Sequence, residues 1–230
     1  MRFFEAPEQD VDTTAAAPPA PPVRSWALWV SVVLHPLLML TLLFAALFYY
    51  VPEVAAPLPL DSLDSLLMLV FLGTALLPTL GILSLRLMRN QVGLTAAAGA
   101  TRQERLWSVL ITAFVYTGVT WALQSLVRLN PLLVLGVASG SVTVALAGLV
   151  SYLRPISLHM VGVGGAMGFL AGLIPHLPQG NLLWPLVLFT LLAGLVGTAR
   201  LARHAHRPPA VFFGWLLGAA VGGSMAFFLA

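Results

Sequence analysis

The chain has 230 residues, 59% of them hydrophobic and only 8% charged, with a formal net charge of +3. A soluble domain carries about 25% charged residues and must cover its surface with polar groups, so most of this chain's surface faces lipid. All the basic residues are arginine and they form no long run, which excludes a nucleic-acid footprint; the absence of cysteine excludes disulfides, thiolate catalysis and Cys-based metal sites.

Residues 1–24 open with Glu5, Glu8, Asp10 and Asp12, followed by the Pro/Ala run Ala15 to Pro22. A signal peptide needs a basic start leading directly into an apolar stretch, so this segment reads as a disordered cytoplasmic tail. Residues 25–230 read as one transmembrane helical domain. A helix needs roughly 17–25 apolar residues to cross a bilayer. The expected spans are Trp26 to Tyr50, Leu66 to Leu87, Leu106 to Leu126, Pro131 to Leu153, Ser157 to Ile174, Leu182 to Arg200 and Ala210 to Leu229. The fold class expected is all-α, a polytopic transmembrane bundle of about seven spans.

The loops alternate in charge. Seven crossings collect Arg2, Arg24, Arg86, Arg89, Arg102, Arg105, Arg154, Arg200, Arg203 and Arg207 on one side and leave Arg128 on the other. That bias predicts a cytoplasmic N-terminus and an outer C-terminus. Short loops and no transit peptide suggest a prokaryotic inner membrane. Gly164, Gly168 and Gly172 lie four apart in span five, and Gly214, Gly218 and Gly222 lie four apart in span seven; Gly194 and Gly197 sit in span six. Such spacing lets helix backbones approach closely in lipid, so spans five to seven are expected to pack as one unit.

Ionisable groups near a membrane are costly and tend to be functional. Two clusters fall on the arginine-rich side. The first is Arg154-Pro155-Ile156-Ser157-Leu158-His159, where a serine hydroxyl, a histidine and a helix N-terminus suit an anion. Equally, Ser157 could simply cap the helix while His159 anchors at the interface. The second runs from Arg200 to Pro209, with Arg203, His204, His206 and Arg207; arginine forks match phosphate oxygens, but they also serve as positive-inside anchors. His35 precedes Pro36 inside span one; it could line a polar path, but the favoured expectation is that it hydrogen-bonds a carbonyl freed by the proline.

The order and spacing of the clusters resemble the type 2 phosphatidic acid phosphatase superfamily, whose motifs are K-x6-R-P, P-S-G-H and S-R-x5-H-x3-D. Ser157-Leu158-His159 resembles the S-G-H of the second motif, and Arg200 with His206 resembles the R-x5-H of the third. The resemblance implies a phosphatase-like core in the last spans, with His206 as nucleophile and His159 as general acid. It also implies that Arg200 and Ser157, with Arg154 as an echo of the R-P element, hold the phosphoryl oxygens. Ala210 stands where the family has its orienting aspartate, Ala199 precedes Arg200, and there is no lysine for the first motif.

The function expected is thus a metal-independent membrane phosphatase acting on a lipid phosphomonoester or diphosphate, with no cofactor. Its partners would be membrane lipid and the lipid phosphate, not nucleic acid. The alternative is a catalytically inactive relative that binds anionic lipid headgroups or scaffolds another membrane protein. A transporter would need ionisable residues mid-span or matching broken helices, and no acidic residue falls in the expected spans.

Overall fold

The computed structural model describes residues 25–88, 102–127, 129–178 and 180–230. The expected tail, Arg89 and Arg128 lie outside the described residues, as do the side chains of Arg102 and Arg105. Nine α-helices are seen among the described residues: α1 Ser25–Val33, α2 Met39–Tyr50, α3 Leu63–Phe71, α4 Leu77–Met88, α5 Arg102–Ala122, α6 Pro131–Leu153, α7 Leu158–Leu173, α8 Leu183–Ala202 and α9 Pro208–Leu229. Six helical stretches among them are long and apolar enough to cross a membrane. The protein is an all-α polytopic membrane bundle.

Local chemistry sets the breaks. Pro36 has no N–H, so α1 stops at Val33, a 3-10 turn covers Pro36–Leu38, and α2 continues the first span. In the second span α3 and α4 are joined by a π turn over Leu72–Leu76, and α5 ends in another over Leu123–Val127. Asn130 caps α6 by accepting the Leu132 N–H at 3.0 Å, and Pro131 takes the first position, where no donor is needed. The second span starts earlier than expected. A 3-10 turn at Leu60–Ser62 leads into α3, and Asp64 lies in the first helical turn, where the positive end of the helix dipole favours a carboxylate.

Side-chain register shows the spans alternating in direction. Val119 meets Gly73 and Ile111 meets Gly81; Val109 meets Gly148; Phe44 meets Gly136 and Leu40 meets Gly140; Met160 meets Gly197. With Thr117 bonded to Ser141 and Thr190 to Met167 as second contacts of the α5–α6 and α7–α8 pairs, each of these four pairs runs antiparallel. The ends bearing Arg86, Arg154 and Arg200 therefore lie at one end of the bundle. The core includes Leu43, Phe44, Leu133, Val137, Phe169, Leu170 and Phe189, each almost wholly buried.

One pair of helices runs parallel and in intimate contact. A Cβ on Gly164 would strike the carbonyl of Trp215, one on Gly168 that of Ala219, and one on Gly172 would lie 2.5 Å from that of Gly223. Reciprocally, a Cβ on Gly214 would lie 2.7 Å from the Ser157 carbonyl, while Gly218 and Gly222 abut the carbonyls of Val161 and Gly165. The two helices thus interlock through both of their own glycine series. At 16 residues α7 is about 24 Å long, short for a span on its own, but it follows α9 along its length. At its far end the His176 ring bonds the Phe227 carbonyl at 2.9 Å. The tight packing expected of three spans is confined to this pair: nothing lies within 4 Å of a Cβ on Gly194, and at Gly197 the contacts are ordinary at 3.7 Å.

Substitutions should separate the two kinds of glycine. Gly218→Val is expected to abolish the folded monodisperse protein in detergent, because the colliding atoms are backbone. Gly194→Ala should leave the thermal midpoint unchanged or raise it, through a helix-propensity gain of about 1 kcal/mol. A thermal melt followed by size-exclusion chromatography reads both.

Candidate functional site

Both polar clusters meet where α7 and α9 begin and α8 ends. Ser157 occupies the N-cap position of α7 in an extended conformation, but its side chain makes no capping bond. Its backbone N–H instead donates to the carbonyl of Ala210 at 3.1 Å, and Gly214 lets α9 pass against its carbonyl. Docked in this way, Ser157 is fully buried, and its Oγ has no hydrogen-bond partner. The capping role that the sequence left open for Ser157 is therefore not the one observed.

Arg200 lies in the last turn of α8, half-buried, with its Nε buried and without a hydrogen-bond partner. Buried polar groups are nearly always matched, and each one left unmatched costs about 1–3 kcal/mol. Thr41 Oγ1 and Ser151 Oγ are likewise buried and unpartnered, but Arg200 Nε differs in belonging to a cation, which suits an anion.

His159, in the first turn of α7, is half-buried. Its Nε2 lies 3.0 Å from the carbonyl of Ser31; a carbonyl can only accept, so Nε2 carries a proton and donates. Ser31 falls in the last turn of α1, where the break at Pro36 removes the helical donors that carbonyls there would otherwise meet. The ring of His35 stands edge-on to that of His159, with centroids 5.6 Å apart. Arg200, His35 and His206 all lie within electrostatic reach of the His159 ring, and Arg200 is also within reach of His35.

The expectation for His35 is corrected. The imidazole that takes a carbonyl from the broken helix is His159, reaching across from span five. His35 instead accepts the Leu37 N–H on its Nδ1 at 3.4 Å and caps the 3-10 turn.

His206 is delivered by a sharp reversal after α8. The Ala205 N–H bonds the Arg200 carbonyl at 3.2 Å and the His204 N–H bonds that of Leu201 at 2.9 Å, the paired bonds of a Schellman ending. His204 takes the left-handed position with φ 51°, where glycine is the usual residue. The reversal leaves His206 half-buried two residues on, before α9 starts at Pro208.

Arg154 is not drawn in. It is exposed, caps α6 through a backbone bond to Val150 at 2.8 Å, and has no side-chain bond to the cluster among the described residues. Arg207 is also exposed, and Arg203 is intermediate. Among the described residues no group of three or more metal-ligating side chains could hold an ion. An apolar groove between the second and third spans, lined by Leu69, Gly73, Leu76, Val119 and Leu126, offers no titratable group. Compared with known proteins, the chain matches no family model, no curated protein and no solved structure.

Ser157, His159, Arg200 and His206 were legible as candidates in the sequence. Ser31 and the place of His35 were not, although a histidine–proline pair inside an apolar span was the available signal: a helix break at membrane depth exposes backbone groups that something must satisfy.

The strained ending gives a prediction. His204→Gly should raise thermal stability by about 1 kcal/mol, because it removes the left-handed penalty. His204→Val should lower it by at least as much. Parallel melts of the two variants check the sign.

Proposed function

We propose that this protein binds the phosphate of a membrane lipid at the arginine-rich end of the bundle and hydrolyses it through a histidine nucleophile. One observation carries the reading: Arg200, whose buried Nε has no partner, stands within electrostatic reach of His159 as His206 does, and the buried Ser157 Oγ two residues before His159 has no partner either. The motif resemblance to the type 2 phosphatidic acid phosphatase superfamily agrees with this site in residue type and order.

Phosphoryl transfer depends mainly on positioning and charge stabilisation. In the proposed reaction Arg200, Ser157 and the N-terminal turn of α7 hold the phosphoryl oxygens. A ring nitrogen of neutral His206 attacks phosphorus, forming an N–P bond as the P–O bond to the lipid breaks. With Nε2–H engaged by Ser31, the proton for the leaving oxygen comes from Nδ1 of His159, which carries one only while the negative charge of the bound phosphate offsets burial and the nearby Arg200 cation. Water then attacks the phosphohistidine, giving a proton to Nδ1 of His159 as its oxygen bonds phosphorus and the N–P bond breaks, which releases phosphate and restores both histidines. In this reading the site faces the cytoplasm, which the arginine bias favours, and the membrane is a prokaryotic inner membrane, which the short loops suit.

A second reading has its own observation. Ala210, at the position of the family's orienting aspartate, is spent on backbone docking: its carbonyl takes the Ser157 N–H. A relative without that carboxylate would keep phosphate binding and lose turnover, leaving an anionic-headgroup receptor.

Purified protein should release phosphate from at least one of phosphatidate, phosphatidylglycerol phosphate and polyprenyl diphosphate, and His206→Ala should reduce the rate by about 100-fold or more. Wild-type protein that binds these lipids at an Arg200-dependent site yet releases no phosphate would establish the receptor reading instead.

A further inference from the structure

The first span enters the site through its break, and this involves a residue that the motif resemblance does not include. Pro36 ends α1 and opens a 3-10 turn, and two consequences follow at one level of the bundle. The Ser31 carbonyl engages His159, and the His35 ring comes to stand 5.6 Å from the His159 ring, within electrostatic reach of Arg200. A proline-terminated helix could end without either; here both imidazoles converge on the side of the bundle that holds the unpartnered Arg200 Nε.

The capping bond fixes the chemistry of His35. Its Nδ1 accepts the Leu37 N–H and so carries no proton. In the neutral ring the proton then sits on Nε2, which makes that atom a hydrogen-bond donor. His35 is not part of the packed core, and no partner is seen for its Nε2 among the described residues. His159 is oriented by Ser31 in the same way, which leaves the two rings held from behind by backbone groups of one broken helix.

We propose that His35 is a third histidine of the phosphate site, a ligand-binding residue whose Nε2–H donates to a phosphoryl oxygen held by Arg200 and Ser157. The break at Pro36 is the device that brings it there. This rests on the phosphate-site reading above. The ligand chemistry is that of a tetrahedral phosphate oxyanion, whether free or on a lipid.

Two substitutions split the capping role from the binding role. Asparagine carries its amide oxygen near the place of Nδ1, so His35→Asn keeps the cap and loses the distal donor. Glutamine carries its amide N–H near the place of Nε2, so His35→Gln keeps the donor and loses the cap. Equilibrium binding of radiolabelled inorganic phosphate to the full chain in detergent is measured for both, with Arg200→Ala alongside and a thermal melt for each variant. The expected result is that His35→Asn weakens binding by about tenfold or more at an unchanged melting midpoint, while His35→Gln stays within about threefold of wild type. The reverse order, with Asn binding like wild type and Gln weakened or destabilised, overturns the proposal and leaves His35 a cap. If wild type binds no phosphate, or Arg200→Ala binds as well as wild type, the phosphate site itself is wrong and the role of His35 falls with it. Wild-type affinity for free phosphate, compared with phosphatidate in mixed micelles, separates a phosphate receptor from a lipid headgroup site.

Discussion

The parallel contact of α7 with α9 is the constraint on which the rest depends. In lipid, helices gain little from burying apolar side chains against one another, so close packing must come from surfaces that fit. Here both surfaces are glycine, three on each helix, and each series receives the carbonyl ridge of the other. The contact reaches from Ser157 against Gly214 at one end to Gly172 against Gly223 at the other. It fixes the rotation of α7, and so fixes which way Ser157 and His159 face. It also explains why a helix of 16 residues can cross the bundle as a partner of a longer one.

The site is assembled from helix ends rather than from side chains projecting mid-span. The Schellman reversal after α8 turns the chain back with Arg200 and His206 on its two sides, α7 starts uncapped beside Ala210, and the broken first span supplies a carbonyl and an imidazole. Helix ends hold the backbone groups that a helix cannot satisfy for itself. Bringing several together at one membrane-level position concentrates donors with few charged side chains, which suits a chain with so little charge. Second-layer orientation, usually the work of a carboxylate, is done for His159 by the Ser31 carbonyl. That bond orients His159 and not His206, whose orienting aspartate in the resembled motif is replaced here by Ala210, a backbone dock for Ser157.

Much of this was legible in the sequence because composition and spacing are physical signals in lipid. The spans from Pro131 onward match their helices closely, since prolines and an asparagine cap mark their starts and an apolar run fills their length. The glycine spacing pointed to close approach but not to its partner; Gly194 lies on an open face, a fact only the register of α8 reveals. The second span begins before the expected Leu66 because Asp61 and Asp64, which interrupt the apolar run, are favoured in the first turns of a helix. Of the candidate site, Arg200 and His206 stand within electrostatic reach of His159, two residues from the buried Ser157, while Arg154, adjacent in sequence, is exposed. The part of span one was hidden because a backbone carbonyl leaves no trace in residue type. A histidine beside a proline says only that something at that depth needs a partner.

Mapping a covalent intermediate tests the central claim most directly. The protein would be mixed with a labelled lipid phosphate, quenched in alkali to preserve a nitrogen–phosphorus bond, and digested for mass spectrometry. The account predicts label on the imidazole of His206, present in wild type and lost in Arg200→Ala. Turnover with no label at His206, or with label on another residue, would contradict it.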